Sequence, residues 1–253
     1  MIETVRRRAG EAWAFRARVE REAARRFSRL GAAIASLNGN GDGDDDGESP
    51  VVAMMAAAAR DEVRHAALCA ELAASYGVPA GDDVPEGDIA PPELGPRQAI
   101  LYEVVAACCI TETESVATVT SLLAGPAAPG VREALHRIAR DEVMHSRMGW
   151  AHLAREAPRG VAFLAEWIPC MLEGTIDPDL FAAGPHMDAA DEDEGELLRH
   201  GVLPPARKRE IFVATLETVV LPGLERSGVD PAPARAWLAA AVRHRARHAA
   251  LMR

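Results

Sequence analysis

The sequence predicts an all-α protein, and three observations carry this prediction. Hydrophobic residues make up 49% of the 253-residue chain, whereas aromatic residues make up only 4% and β-branched runs are rare, which favours helix over sheet. Long alanine-rich stretches end at clusters of glycine, proline and asparagine, which are typical of helix ends. The heptapeptide Ala-Arg-Asp-Glu-Val-x-His occurs twice inside these stretches, as Ala59 to His65 and as Ala139 to His145.

Helix-breaking residues divide the first part of the chain into four long predicted helices. The first ends at the cluster Asn38-Gly39-Asn40-Gly41, and a Gly/Pro/Asp-rich crossover separates the second helix from the third. The predicted helices run from about Ile2 to Leu37, from Pro50 to near Gly77, from about Pro96 to Gly125 and from about Pro129 to Pro158. This order, with one longer link in the middle, predicts a four-helix bundle that is made from two helical hairpins and occupies residues 1–157.

The C-terminal part, residues 158–253, is predicted to be a helical extension. An acidic segment with glycine and proline, from Asp177 to Glu196, is expected to be an exposed loop. The additional C-terminal helices are predicted at Val161 to Glu173, Pro205 to Leu221 and Pro231 to Met252. Because this part lacks a dense polar cluster, we expect its helices to pack on the bundle, or on a second subunit in a homodimer, and not to form a separate catalytic domain.

Composition narrows the range of partners. The formal charge of −10 argues against nucleic acid as a partner, although arginines crowd the first helix, where interleaved glutamates indicate a solvated, ion-paired face. No apolar run reaches ~20 residues and no signal-peptide pattern is seen, so we expect a cytoplasmic protein without a membrane partner.

The cysteines lack disulfide-framework or metal-knuckle spacing and are expected to be structural. They are Cys69, Cys108, Cys109 and Cys170.

Each copy of the repeat carries a Glu-x-x-His pair, Glu62 with His65 and Glu142 with His145. Residues three apart share a helix face, and both pairs lie on apolar seams of their helices, so we expect both to face the core. Burying two carboxylates and two imidazoles without partners would be costly, and a pair of divalent metal ions would compensate for that cost. The repeat therefore predicts half of a dinuclear metal site.

Periodicity selects one further carboxylate from each of the other two helices. In the third helix, Glu112 lies on a seam that is apolar except for Glu112 and Ser115, so we favour it over Glu114, which lies on a mixed face. In the first helix, Glu20 is the single carboxylate on an apolar seam, and we favour it over Glu22, whose face turns basic. Once the acidic insertion between the first two helices is discounted, the two hairpins have matching spacings between their candidate ligands.

This pattern resembles the ferritin-like di-iron carboxylate proteins, in which two helices give one glutamate each and the other two give Glu-x-x-His. The run Asp61-Glu62-Val63-Arg64-His65 is similar to the Asp-Glu-x-Arg-His signature of the oxygen-activating branch. The second copy departs from the signature, because Met144 stands where that branch often has arginine. Glu20 with Phe27 seven residues on, and the run Cys109-Ile110-Thr111-Glu112-Thr113, resemble a bacterial group known only as ferritin-like domain proteins.

The resemblance implies two iron ions, with an iron–manganese pair as the alternative. The implied metal ligands are Glu20, Glu62, His65, Glu112, Glu142 and His145. Each repeat glutamate would hold one ion beside its histidine, while Glu20 and Glu112 would bridge or cap. Asp61, Asp141 and Arg64 would surround the ligands, and each aspartate would accept a hydrogen bond from the histidine on the opposite helix, Asp61 from His145 and Asp141 from His65.

The function that the resemblance implies is that of a non-haem di-iron oxidase or oxygenase, which uses dioxygen or peroxide to oxidise a small organic substrate. Reducing equivalents would come from an external electron donor, because the chain has no glycine-rich nucleotide fingerprint. The alternatives are a ferroxidase or peroxide-scavenging iron-handling protein, and a structural bundle with a relic site. His152, Ser115 and Tyr102 are candidate pocket residues, although their helical spacing is also typical of core residues.

The insertion between the first two helices contains half of a calcium-binding motif. Asp42 to Gly47 offers oxygen ligands at positions one, three and five and glycine at position six. Position twelve, however, is Ala53 where a calcium loop has a bidentate glutamate. The expectation is therefore a flexible acidic insertion.

Overall fold

A computed structural model describes residues 3–39, 50–81, 87–175, 178–181 and 194–251. Over these ranges the chain is helical and contains no β-strand, which confirms the all-α prediction. None of the helices in the described ranges is long and apolar enough to cross a lipid bilayer.

Four long helical segments form the N-terminal part of the structure. They are α1 (Glu3–Gly39), α2 (Pro50–Ser75), a third segment made of α3 (Pro96–Val104), a π-helical stretch π1 (Val105–Thr111) and α4 (Glu112–Ala124), and α5 (Pro129–Glu156). Three of the four begin at a proline. The fixed φ of proline suits the first helical turn, and its lack of an N–H costs nothing there, because the first N–H groups of a helix have no acceptor within the helix. The helix α2 is followed by Gly77 at φ 85°, a left-handed conformation that glycine adopts without steric cost.

The third segment differs from the uninterrupted helix that the sequence predicts. Between Val105 and Thr111 the backbone takes π-helical hydrogen bonds, and the Thr111 hydroxyl donates to the Ala106 carbonyl oxygen over 3.0 Å. The π-helical stretch ends immediately before Glu112. Such local widening of a helix is frequently found beside functional residues.

The C-terminal part contains more elements than the three predicted helices. They are α6 (Leu164–Thr175), a short 3₁₀ turn (Pro178–Phe181), α7 (Glu194–Arg199), α8 (Pro205–Thr215), a second π-helical stretch π2 (Leu216–Val220), α9 (Leu221–Arg226) and α10 (Ala232–Leu251). The prediction of an exposed loop from Asp177 to Glu196 is wrong at Leu180, because this residue lies in the 3₁₀ turn and is buried in the core. Apolar packing thus fixes at least one point of this acidic segment.

The C-terminal helices pack on the third helical segment and α5 of the same chain. One apolar cluster contains Leu101 and Ile110 from the third segment together with Ile168, Phe212 and Leu224 from the C-terminal part. Trp150 of α5 packs against this cluster. The association is therefore an ordinary hydrophobic core, in which burial of apolar area supplies the driving force.

Two further apolar clusters lie along the four N-terminal segments. The first includes Phe27 and Met148, and the second includes Trp13 and Ile138. Along each segment, the buried glutamates and histidines of the predicted site lie between residues of the first cluster and residues of the second. The polar core is therefore enclosed between two apolar layers.

Candidate metal centre

The structure brings all six predicted metal-site residues together in the core. None of them is more than 6% exposed. They form two overlapping groups, Glu20 with Glu62, His65 and Glu142, and Glu62 with Glu112, Glu142 and His145. Within each group, one oxygen or nitrogen from every residue lies within 4.8 Å of the others. Both groups are therefore compact enough to hold a metal ion.

Two carboxylates, Glu62 and Glu142, belong to both groups, whereas Glu20 and Glu112 belong to one group each. The resemblance implied that each repeat glutamate would hold one ion and that Glu20 and Glu112 would bridge or cap. The shared positions of Glu62 and Glu142 favour the capping alternative for the other two glutamates. The reason is geometric, because the two repeat turns on α2 and α5 face each other across the centre. Glu62 and Glu142 are thus placed to bridge, and the other two glutamates are placed to cap.

Each histidine of the site contacts an aspartate on the opposite helix through Nε2. The Nε2 atom of His65 lies 3.3 Å from Oδ2 of Asp141, and that of His145 lies 3.4 Å from Oδ2 of Asp61. An imidazole that donates its Nε2–H to a carboxylate presents the Nδ1 lone pair to the interior. The aspartates lie where the family resemblance implies, and they favour the tautomer that a metal ligand requires.

The side chain of Arg64 contacts both of these aspartates. Its guanidinium forms an ion pair with Asp61 on its own helix and lies 3.5 Å from Oδ2 of Asp141. Arg140 adds a hydrogen bond to Asp141 over 3.0 Å. Burial raises the pKa of Asp141, but the contacts with Arg140 and His65 outweigh this effect and lower it.

Several buried oxygen and nitrogen atoms of the site, which could serve as metal ligands, have no hydrogen-bond partner among the described residues. They are Oε1 of Glu62, Oε2 of Glu142 and Nδ1 of His145. Nδ1 of His145 lies 2.8 Å from Oε1 of Glu62, yet the two atoms are not aligned for a hydrogen bond. Buried polar atoms are rarely left unpaired, so this donor set fits bound cations.

The pKa values of the site reflect the close packing of several carboxylates and imidazoles in the core. Burial, followed by the neighbouring carboxylates, raises the pKa of Glu20 and Glu112 well above the usual carboxyl value. Burial also opposes ionisation of Glu62, but the imidazoles of His145 and His65 lower its pKa to about 2. The pKa of His145 is raised to about 10, because the carboxylates of Glu142 and Glu62 outweigh burial. Without metal, protons supply the charge that divalent cations would otherwise supply.

Arg16 was not predicted from the sequence, and it lies directly beside the candidate ligands. Its Nε donates to Oε1 of Glu20 over 3.3 Å, and a terminal nitrogen donates to Oγ of Ser115 over 3.4 Å. Ser115 in turn donates to Oε1 of Glu142 over 3.1 Å. The signal that could have identified Arg16 is its position four residues before Glu20, one helical turn away. Ser115, predicted as a pocket residue, is part of this hydrogen-bond chain.

The two alternative glutamates that the sequence left open lie outside both groups. Glu22 accepts a hydrogen bond from Arg26 over 3.1 Å, and Glu114 accepts one from Thr118 over 2.8 Å. Glu103, on the same mixed face as Glu114, is only 2% exposed and forms an ion pair with Arg29. Helical periodicity did not indicate this buried pair.

The other two candidate pocket residues are both buried. Tyr102 belongs to the apolar cluster shared with the C-terminal helices, and its ring is perpendicular to that of Trp167. His152 is buried, and its Nδ1 has no hydrogen-bond partner in the described part of the chain. Burial lowers the pKa of His152, which favours a neutral ring. The burial of His152 agrees with its helical spacing, which is typical of a core residue.

Two grooves approach the centre from outside. One, of about 440 Å³, is lined by Arg64, His65 and Asp141 among others, and the second, of about 550 Å³ between α1 and α2, has Phe27 at its base. The Phe27 ring contacts that of His145 edge-on, with 5.8 Å between the ring centroids. Phe27 thus lines the second groove and also contacts a candidate ligand.

All four cysteines are free thiols, and three of them are buried while Cys170 is exposed. Burial raises the pKa of Cys69, Cys108 and Cys109. The acidic motif from Asp42 to Gly47 lies outside the described residues.

No protein-family model matches this sequence, and neither a curated protein nor a solved structure matches the chain. The interpretation of the site therefore rests on its own geometry. That geometry defines two buried groups of carboxylates and imidazoles that could hold metal ions.

Proposed function

We propose that this chain is a ferritin-like dinuclear metalloprotein that acts as an oxidase or oxygenase on a small organic substrate, using dioxygen or peroxide. The observation that carries the proposal is the pair of four-residue groups that share Glu62 and Glu142. Shared carboxylates allow two cations to bind side by side, and the ferritin-like arrangement takes its ligands from four helices in this way.

The donor set favours iron or manganese. Each position would be surrounded by three carboxylates and one imidazole, and this mixture of oxygen and nitrogen donors suits divalent iron and manganese. No cysteine belongs to either group, so a thiolate-based zinc or iron–sulfur site is disfavoured in the described part of the chain. The bound metal pair would supply open coordination positions for dioxygen or peroxide and would pass on the electrons of an external donor.

The chain's own residues would orient the ligands and exclude water. Asp61 and Asp141 hold the two imidazoles in one tautomer, and Arg64 holds the two aspartates. The two apolar clusters on either side of the polar centre keep bulk water out, which preserves the strength of its electrostatic interactions.

The groove between α1 and α2 is the approach that best suits a small organic substrate. Its lining is mainly apolar and includes Gly31, Ala59 and Val63, and Phe27 in this lining contacts the ring of His145. An organic molecule in this groove would replace water at an apolar surface. Electrons would have to come from a separate donor, as the sequence indicates.

The proposal is tested by loading the protein with ferrous iron without oxygen and then admitting oxygen. We expect two irons per chain and an oxygen-dependent change in visible absorption. The variant Glu20→Gln should bind less iron, whereas Glu22→Gln, a matched change two residues away and outside both groups, should behave as wild type. Two bound irons without any oxygen-dependent spectral change would overturn the oxidase proposal. Continued oxidation of ferrous iron beyond two equivalents per chain would instead support the iron-handling alternative.

A further inference from the structure

The two candidate metal positions differ in the residue that lies about one helical turn before the capping glutamate. Arg16 precedes Glu20 by four residues, and Cys108 precedes Glu112 by four residues. Arg16 donates a hydrogen bond to Glu20, while Cys108 is fully buried in the apolar cluster that contains Phe27 and Met148. One position therefore has a cation beside it, and the other has a neutral thiol.

The charges that face Arg16 are mainly those of the candidate ligands. Among the carboxylates, Glu20 attracts its guanidinium most strongly, followed by Glu142 and then Glu114, and Cys69 also faces it. The Arg16 side chain is 18% exposed, so water screens its charge only partly. On the opposite side, Arg26 lies near Cys108, but its charge is balanced by Glu22, which belongs to neither ligand group. Arg16 is thus a cation whose counter-ions are also needed by the metal.

Arg16 also occupies one oxygen of its glutamate. The hydrogen bond from Nε is made to Oε1 of Glu20, so the guanidinium competes with a metal ion for that oxygen. Ser115 extends the chain from Arg16 to Oε1 of Glu142, the carboxylate that is shared by both groups. Glu112 has Glu142, Glu62 and Cys108 as its main electrostatic neighbours, with no comparable arginine among them.

We propose that Arg16 makes the two metal positions unequal, so that the Glu112–His145 position fills first and the Glu20–His65 position fills second and more weakly. The proposal rests on the dinuclear site of the proposed function but not on its oxidase activity. The fixed positive charge repels a cation bound near Glu20 and His65, and the hydrogen bond from Arg16 competes with that cation for Oε1 of Glu20. Arg16 is a positioning residue, because it acts on the metal through Glu20 and Glu142.

The test is a titration of the metal-free protein with Co(II), followed by visible absorption and calorimetry, in which each binding step has its own dissociation constant. Wild type should bind two ions in two resolved steps. The variant Arg16→Gln, which keeps hydrogen-bonding capacity but not charge, should tighten the weaker step by about tenfold or more and change the tighter step much less. The variant Arg16→Lys, which keeps the charge, should leave the weaker step weak.

Two controls separate a local effect from a general one. Arg7→Gln removes an arginine from the same helix that also pairs with a glutamate four residues on, but at the exposed surface, and should change neither step. His65→Gln should abolish the weaker step, and His145→Gln should abolish the tighter one. These two variants test the filling order even where Arg16→Gln fails to fold, which circular dichroism would reveal.

The outcomes distinguish this inference from the proposed function. Two cobalt ions bound, with equal changes in both steps for Arg16→Gln or with no change, would overturn the role of Arg16. Loss of the tighter step in His65→Gln would overturn the filling order. Absence of cobalt binding by wild type would overturn the dinuclear site itself.

Discussion

The position of Glu62 in both ligand groups leads to a quantitative prediction for the variant Glu62→Gln. The amide keeps the shape of the side chain but removes its charge and one metal-binding oxygen. Because Glu62 would bridge the two ions, the substitution should weaken both binding steps. The matched variant Glu112→Gln removes a carboxylate that belongs to one group, so it should weaken one step only.

The magnitude follows from the linkage between metal binding and folding. At a free Mn(II) concentration of about 100 times the dissociation constant, each occupied position stabilises the fold by about 2.7 kcal/mol, and two positions by about 5 kcal/mol. Loss of an outer hydrogen-bond partner alone weakens metal binding by about 10- to 100-fold, so loss of a ligand should weaken it by at least about 100-fold. At the same Mn(II) concentration, Mn(II) should then stabilise the Glu62→Gln protein by about 1 kcal/mol and the Glu112→Gln protein by about 3 kcal/mol.

The assay is thermal unfolding of each protein with and without Mn(II), and the quantity compared is the metal-induced rise in Tm. For a chain of this size 1 kcal/mol corresponds to about 2–4 °C, so wild type should gain about 10–20 °C and Glu62→Gln about 2–4 °C. Glu112→Gln should lie between them, and Glu22→Gln should match wild type. A Glu62→Gln protein that keeps as large a gain as Glu112→Gln would refute the assignment of Glu62 as the shared carboxylate.

Three further predictions concern the surroundings of the site. Gly149→Ala should destabilise the fold by about 1–3 kcal/mol in denaturant unfolding, because the added methyl would lie 2.3 Å from the Cβ of Cys108. Glu156→Gln should cost about 1–2 kcal/mol at pH 7, because it removes the buried carboxylate that pairs with Arg97 and Arg159 at the end of α5. Since the pKa of Glu156 is lowered in the folded state, that cost should be fully present above the unfolded value of about 4.3 and should vanish as the pH falls through the folded value. Asp141→Asn should weaken Co(II) binding by about 10- to 100-fold, because it disturbs the partner of His65, and an unchanged affinity would contradict this role.

The sequence predicted the helices and the grouping of the site well, because both depend on periodicity within single helices. Apolar residues at helical spacing identify the buried face, and the structure places Glu20 and Glu112 on that face with the repeat residues. The helix ends at Pro50, Pro96 and Pro129 are equally local signals. These features needed no information about how the helices pack on one another.

The features that the sequence did not predict depend on the offset and rotation between helices. Which carboxylates belong to both ligand groups is decided by how far α2 and α5 are shifted along each other, and periodicity within one helix does not contain that shift. The buried Glu103–Arg29 pair likewise forms between two segments 74 residues apart in sequence. The π-helical stretch before Glu112 is a further case, because its composition is ordinary for an α-helix.

The difference between the two repeat copies, Arg64 in one and Met144 in the other, suggests at first that the two histidines have unequal support. The structure argues against this, because the single guanidinium of Arg64 reaches both Asp61 and Asp141, while Met144 is exposed. One arginine at the crossing of α2 and α5 can therefore serve both aspartates, and the second copy does not need its own. The asymmetry that affects the candidate ligands is instead at the capping glutamates, because Arg16 contacts Glu20 directly. Differences between the two metal positions should thus follow substitutions at Arg16 and not at Met144.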